Sequence, residues 1–141
     1  QENFAPLIKT YYKDIGAAIL VYDVNCKHSF DRLNFWINEL NNNGPNNYPI
    51  SKILIGNKID LESRKVDREV AEQFALQHGF LYDEVSVKQD INVDESLLKL
   101  VQEAYKFKHE NKGFKSTELN YLALKPKSTT LKNRENCCCI C

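Results

Sequence analysis

Methionine is absent from all 141 residues, position 1 included. The chain is therefore read as beginning inside a longer open reading frame. Glycine is scarce, with five in total, and none is arranged as GxxxxGK(S/T), the pattern whose backbone amides and lysine cradle phosphates. No run of about 18 apolar residues occurs, which excludes a membrane-spanning helix, and no charged-then-apolar leader marks secretion. Net charge is lacking too: 19 basic residues balance 19 acidic ones, so nothing in the total points to nucleic acid or an acidic substrate. Spaced cysteines are missing as well. Four of the five are Cys137, Cys138, Cys139 and Cys141, too close together for the framework of a disulfide-stapled secreted domain. These absences together lead to the expectation of an intracellular protein.

What is present suffices for one domain with a real core. Charge is uneven along the chain, with seven basic and three acidic residues from Lys108 to Asn136 against 12 basic and 16 acidic in the first 107. A mildly acidic body carries a basic tail. Gly16 to Asp23, GAAILVYD, is a continuous apolar run ending in a carboxylate, the pattern of a strand buried on both faces of a parallel sheet. KILIG at 52–56 and LYDEVSV at 81–87 are the next strands.

Between the strands the period changes to that of helices. Phe30, Leu33, Ile37 and Leu40 form a stripe behind a cap at Ser29, ending at Gly44. Asp67 is placed to cap a second helix with the stripe Val70, Ala71, Phe74 and Ala75, and Gly79 stands where a left-handed residue ends it. A third helix follows Asp94, with Leu97, Leu98, Val101, Ala104 and Tyr105 on its inner face. The opening segment to Asp14 reads as a short or irregular helix, and the turn-rich stretch 41–49 as an exposed loop. Alternating strands and helices imply right-handed crossovers and a parallel sheet covered on both sides, with ligands beyond the carboxyl ends of its strands.

Two such ends carry chemistry. GNKID at 56–60 follows one strand and Ser86-Val87-Lys88 ends another. The carboxylate of Asp60 offers two adjacent acceptors for the ring N–H and exocyclic amine on one edge of guanine; adenine presents no such pair. Asn57 can donate to a base or tie loops together, and the stem of Lys58 can lie across a ring. A solvated turn with incidental charges is the plain alternative.

These residues resemble a family. NKID at 57–60 is similar to the NKxD of the small Ras-like GTPases, and EVSVK at 84–88 to their ETSAK. LVYDV at 20–24 with SF at 29–30 and Trp36 resembles the LVYDxT…SF…W run of the Rab branch, and QENF followed by YYK resembles its QERF…YYR. The resemblance covers roughly residues 1–107. It implies a three-layer αβα parallel sheet of the P-loop NTPase and small GTPase type, incomplete at the N-terminus, with the strand that would pair beside 17–23 missing and an open edge in its place. By the same resemblance, Asp60 binds the guanine edge while Asn57 and Lys58 support base and loops. Ser86 buttresses Asp60, Val87 supplies a backbone donor in a place usually held by Ala, and Lys88 packs on the ring. Gln1 matches the glutamine that orients the attacking water. The cofactors implied are GTP or GDP and Mg²⁺, with the metal's ligands in the missing segment; no residue here is assigned to metal. The fragment alone is expected to bind guanine nucleotide weakly or not at all.

Residues 108–141 read as a disordered basic tail. Cys139-Ile140-Cys141 matches the CxC ending that carries two geranylgeranyl groups in Rab-type proteins, and two chains give stable anchoring where one is marginal. Lys125, Lys127, Lys132 and Arg134 add attraction to anionic lipid. The implied protein is a Rab-like switch in vesicle traffic, peripheral on the cytosolic face of intracellular membranes. Its implied partners are exchange factors, activating proteins, a prenylation escort and effectors, with no nucleic acid. A nucleotide-free interaction module and a Ras-type signalling GTPase are the rivals; the CxC ending argues against the second.

Overall fold

The computed structural model describes residue 12, residues 15–45 and residues 49–110. The expectations for the opening segment, Gln1 and the cysteine tail lie outside the described residues. Three parallel strands, β1 (Ala17–Asp23), β2 (Ser51–Asn57) and β3 (Leu81–Val85), form a sheet in that order. Helices α1 (Lys27–Asp31) and α2 (Leu33–Asn43) connect the first pair of strands, α3 (Arg68–Gln77) the second, and α4 (Val93–Glu110) follows β3. This is the α/β architecture the alternating pattern predicts.

The period-two alternation of β2 divides the core. Leu54 joins Tyr22, Val24, Phe30, Leu33, Ile37, Leu40, Val66, Ala71, Ala75 and Phe80 on one face, while Ile53 and Ile55 meet Val85 and Leu100 on the other. β2 is buried on both sides along most of its length, and β3 over Asp83, Glu84 and Val85. β1 is an edge among the described residues: Ala17, Ile19 and Val21 face outward and Tyr22 inward, so its apolar run does not mean double burial here.

Several local expectations are corrected. Ser29 lies inside α1, not at its cap: its buried hydroxyl accepts the Asp23 N–H (3.0 Å) and donates to the Cys26 carbonyl (2.7 Å), stapling the helix to the end of β1. Its stripe nonetheless holds, since Phe30, Leu33, Ile37 and Leu40 are all buried, although Arg32 splits the segment into two helices. In α3 Ala71 and Ala75 are buried but Val70 is exposed, and Asp67 has extended backbone at the N-cap without a side-chain capping bond. The third strand stops at Val85, because Ser86 pairs antiparallel with Ile91 (3.1 and 3.0 Å) and closes a turn. Helix α4 turns a different face inward than predicted: Ser96 and Leu100 are buried, while Leu97, Leu98, Val101 and Tyr105 are exposed. It also runs three residues past Phe107.

Gly79 has φ 69°, the left-handed backbone that ends α3. Gly56 is needed for space instead. A Cβ there would lie 2.9 Å from the Tyr22 hydroxyl and 3.0 Å from Val24 Cγ1. Tyr22, Gly56 and Glu84 stand in one row across the strands, and the bare glycine lets the Tyr22 ring cross β2 to hydrogen-bond with the Tyr82 hydroxyl at 3.0 Å. Gly56→Ala is expected to overpack this row and cost about 1–3 kcal/mol, read as a lower midpoint in urea unfolding.

Candidate functional site

All three strands run parallel, so their carboxyl ends lie together. β1 ends in Asp23, β2 in Asn57 and β3 in Val85, and the Ile59 N–H donates to the Val85 carbonyl at 3.3 Å. Two further bonds join the loops that follow β2 and β3. The Ser86 hydroxyl, fully buried, donates to Asp60 Oδ1 at 2.7 Å and accepts the Gln89 N–H at 3.2 Å. Asn57 Oδ1 accepts the N–H of Lys58 at 2.7 Å and that of Val87 at 3.3 Å. Asn57, Asp60, Ser86 and Val87, 30 residues apart at the extremes, thus form one hydrogen-bonded unit. Lys88 sits in the turn after Val87 and is exposed.

Ser86 occupies one oxygen of Asp60 and restrains the carboxylate, leaving Oδ2 with no hydrogen bond among the described residues. A carboxylate held in this way accepts hydrogen bonds without first losing rotamer freedom. Val87 is 64% exposed, so its branched carbons lie in solvent rather than against the backbone donor. The donor set suits the edge of a purine carrying two adjacent N–H groups beside a carbonyl. It does not suit phosphates, for which these 141 residues hold no GxxxxGK(S/T).

Lys58 has φ 67°, a left-handed backbone that a lysine adopts only when its surroundings hold it. Asn25 Nδ2 and the Leu61 N–H donate to its carbonyl (3.0 and 3.2 Å), and its ammonium lies 2.6 Å from Asp23 Oδ2. Asp23 in turn accepts the Asn25 N–H at 2.8 Å, while the Ser63 hydroxyl donates to Asn25 Oδ1 at 3.2 Å. Sequence reasoning missed this clasp of Asp23, Asn25 and Ser63. The one available signal was the carboxylate closing the first apolar run; nothing local tied it to a lysine 35 positions on.

Burial pulls the Asp23 carboxyl upward, but the hydrogen bonds from Lys58 and Asn25 outweigh it and hold the group below the ordinary carboxylate range. Asp83 is depressed in the same sense, with burial opposed by Lys99 and Asn92, and so is Glu84, with burial opposed by Arg64 and Tyr82. A carboxyl whose native pKa lies below its unfolded one stabilises the fold fully above the unfolded value, and loses that contribution as pH falls through the native one. Thermal midpoints are therefore expected to be insensitive to these three groups near neutrality and to drop in acid below the ordinary carboxylate values. Asp23→Asn is expected to make the acid limb shallower.

Comparison with known proteins agrees with this architecture. Residues 1–106 match the model of the Ras family. The chain is 35% identical over 121 residues to the Ras-related protein Rab-2B of Dictyostelium discoideum, an alignment covering 85% of this chain and 59% of that protein. The chain thus spans 59% of the length of the curated relative it matches. With the NKID and SVK segments joined at one end of a parallel sheet and a family match reaching from its first residue into α4, the chain belongs to the Ras family of small GTPases and is Rab-like.

Proposed function

We propose that this chain supplies the base-reading part of a Rab-like, GTP-binding switch of vesicle traffic. Asp60 accepts the two N–H donors of guanine, Ser86 orients Asp60, Val87 offers its N–H to the base carbonyl, and Asn57, Lys58 and Lys88 support loops and ring. The observation carrying this reading is the Ser86–Asp60 bond at 2.7 Å, which orients the carboxylate; the Val87 N–H, which donates to Asn57 Oδ1 at 3.3 Å, is shared with or released to the base carbonyl on binding. Hydrolysis of GTP, with Gln1 orienting water and Mg²⁺ on the phosphates, belongs to the same proposal for the protein at its relatives' length. So do exchange factors, activating proteins and effectors. Residues 1–107 are read as the partial GTPase domain, and the basic segment beyond it as a tail prenylated on Cys139 and Cys141 that holds the protein on the cytosolic face of intracellular membranes.

The test is a titration of the ¹⁵N-labelled chain with guanosine, GDP and adenosine. Guanosine is expected to shift the amide resonances of Val87 and Lys58 at high ligand concentration, adenosine to leave them unmoved, and GDP to bind no more tightly than guanosine because these 141 residues hold no GxxxxGK(S/T) for its phosphates. Submicromolar GDP binding would overturn the last expectation. Absence of any guanosine effect would favour the second reading, a nucleotide-free interaction module, which the engagement of the Lys58 ammonium by Asp23 supports.

A further inference from the structure

Asp83 is an unusual residue for its place in the sheet. By the alternation of β3 it shares a face with Leu81 and Val85, beside Ile55 in the parallel register and on the side that packs against Leu100 of α4. The side chains named on that face are apolar, yet Asp83 is buried among the strands. It lies on β3, across the sheet from β1. Replacing a buried ion pair by apolar side chains of similar volume is often neutral or stabilising, so stability alone does not call for a carboxylate here.

Its two oxygens take different partners. The ammonium of Lys99 on α4 donates to Oδ2 at 2.5 Å, and Asn92 Nδ2 donates to Oδ1 at 2.9 Å. Asn92 stands at φ 57°, a left-handed backbone, as does Asp90 two residues before it. The same amide nitrogen of Asn92 donates to the Glu84 carbonyl at 2.9 Å, and the Asn92 carbonyl accepts the buried Ser96 hydroxyl at 2.7 Å. Asn92 is thus pinned between the end of β3 and the first turn of α4. Directly before it, Ser86 and Ile91 exchange both backbone bonds and close the turn that carries Val87 and Lys88. Asn92 ties the far leg of that turn back to β3.

We propose that Asp83 is a positioning residue for the guanine-reading turn, acting through Asn92. This rests on the function proposed above and adds to it a residue that lies beneath α4 rather than at the strand ends. By orienting the Asn92 amide, the carboxylate fixes where the chain enters α4, and with it the path from Ser86 to Ile91 and the directions of the Val87 N–H and the Lys88 stem. Strand, turn and helix meet at this one group, because Lys99 binds its other oxygen.

The test pairs amide hydrogen exchange of the ligand-free, ¹⁵N-labelled chain with guanosine titration and urea unfolding. Asp83→Leu is expected to keep the urea midpoint at or above that of the unaltered chain. It is nonetheless expected to speed exchange at Ser86 and Ile91 and to weaken guanosine, each about fivefold or more, as for the loss of one hydrogen bond. A residue that merely stabilised the fold would move midpoint, exchange and affinity together. Asp83→Asn keeps an acceptor for Asn92 Nδ2 while Lys99, 54% exposed, turns to solvent, so it is expected to restore both exchange and affinity. Asn92→Gly accepts the left-handed backbone but lacks the amide, and is expected to match Asp83→Leu. The double variant is expected to be no worse than either single one, since the two residues act in series. If Asp83→Leu does not fold, Asn92→Gly and Asp83→Asn carry the test. Exchange or guanosine affinity left unchanged by Asp83→Leu and Asn92→Gly overturns the proposal, and so do losses that add in the double variant. Guanosine that fails to bind the unaltered chain overturns the guanine-reading function instead, and the exchange rates then still decide whether Asp83 holds the turn.

Discussion

Asp60→Asn is expected to abolish recognition of guanine while leaving the fold in place. The amide keeps an oxygen for the Ser86 hydroxyl, which is fully buried and donates to Asp60 Oδ1, so the structural bond persists. At the other position an acceptor becomes an NH₂ donor and meets the N–H donors of the base. Hydrogen bonds to a charged group contribute roughly 1.5–3 kcal/mol each, so losing two of them weakens guanosine at least about a hundredfold. For a weak ligand that means no shift of the Val87 amide at any usable concentration. Asp60→Ala is less informative, because it also orphans the buried Ser86 hydroxyl and lowers stability. Guanosine binding unchanged in Asp60→Asn would remove Asp60 from the proposed site.

The second large effect concerns stability. Arg64, in the loop that follows NKID, makes two bonds of 2.9 Å to the two oxygens of Glu84, and donates to the Val66 carbonyl at 3.0 Å. The Glu84 side chain is only 8% exposed, and the Tyr82 hydroxyl donates to it at 2.7 Å. Burial together with the hydrogen bonds to Tyr22 and Glu84 raises the Tyr82 hydroxyl far above its ordinary value, so it serves as a donor throughout the working range. Arg64→Ala leaves a carboxylate inside the protein with one neutral donor. Breaking a buried pair costs about 3–5 kcal/mol, and because Arg64 is itself one-third exposed the lower end, about 3 kcal/mol, is expected in urea unfolding. Adding Glu84→Gln to Arg64→Ala is expected to recover part of the loss, as the uncompensated charge is then gone. If the double variant is no better than the single one, the cost lies in loop packing and the Val66 bond instead.

Much of this was legible because it is local or periodic. Apolar runs bounded by turns located β1 and β2, the stripe Phe30, Leu33, Ile37, Leu40 located the helices between them, and Gly79 marked the end of α3. The phase of α4 was not legible. A helix with apolar residues on more than one flank leaves its buried face undetermined, and here a small serine, Ser96, takes the innermost position with Leu100 while larger residues stay outside. Ser29 was misread for a related reason: a serine before an apolar stripe has the same pattern whether it caps a helix or bonds back to the preceding strand.

By itself the sequence determined the order of the elements, the parallel sense of the sheet and the residue types at its strand ends, because these follow from chain connectivity and side-chain period. Tertiary structure alone decided that Asp23 would hold Lys58, that Arg64 would reach Glu84, that Gly56 would clear a path for Tyr22, and which flank of α4 would stay outside. Each of these depends on atoms distant in the chain arriving within a few ångströms of one another, and that distance is set by how the layers pack rather than by any spacing along the polypeptide.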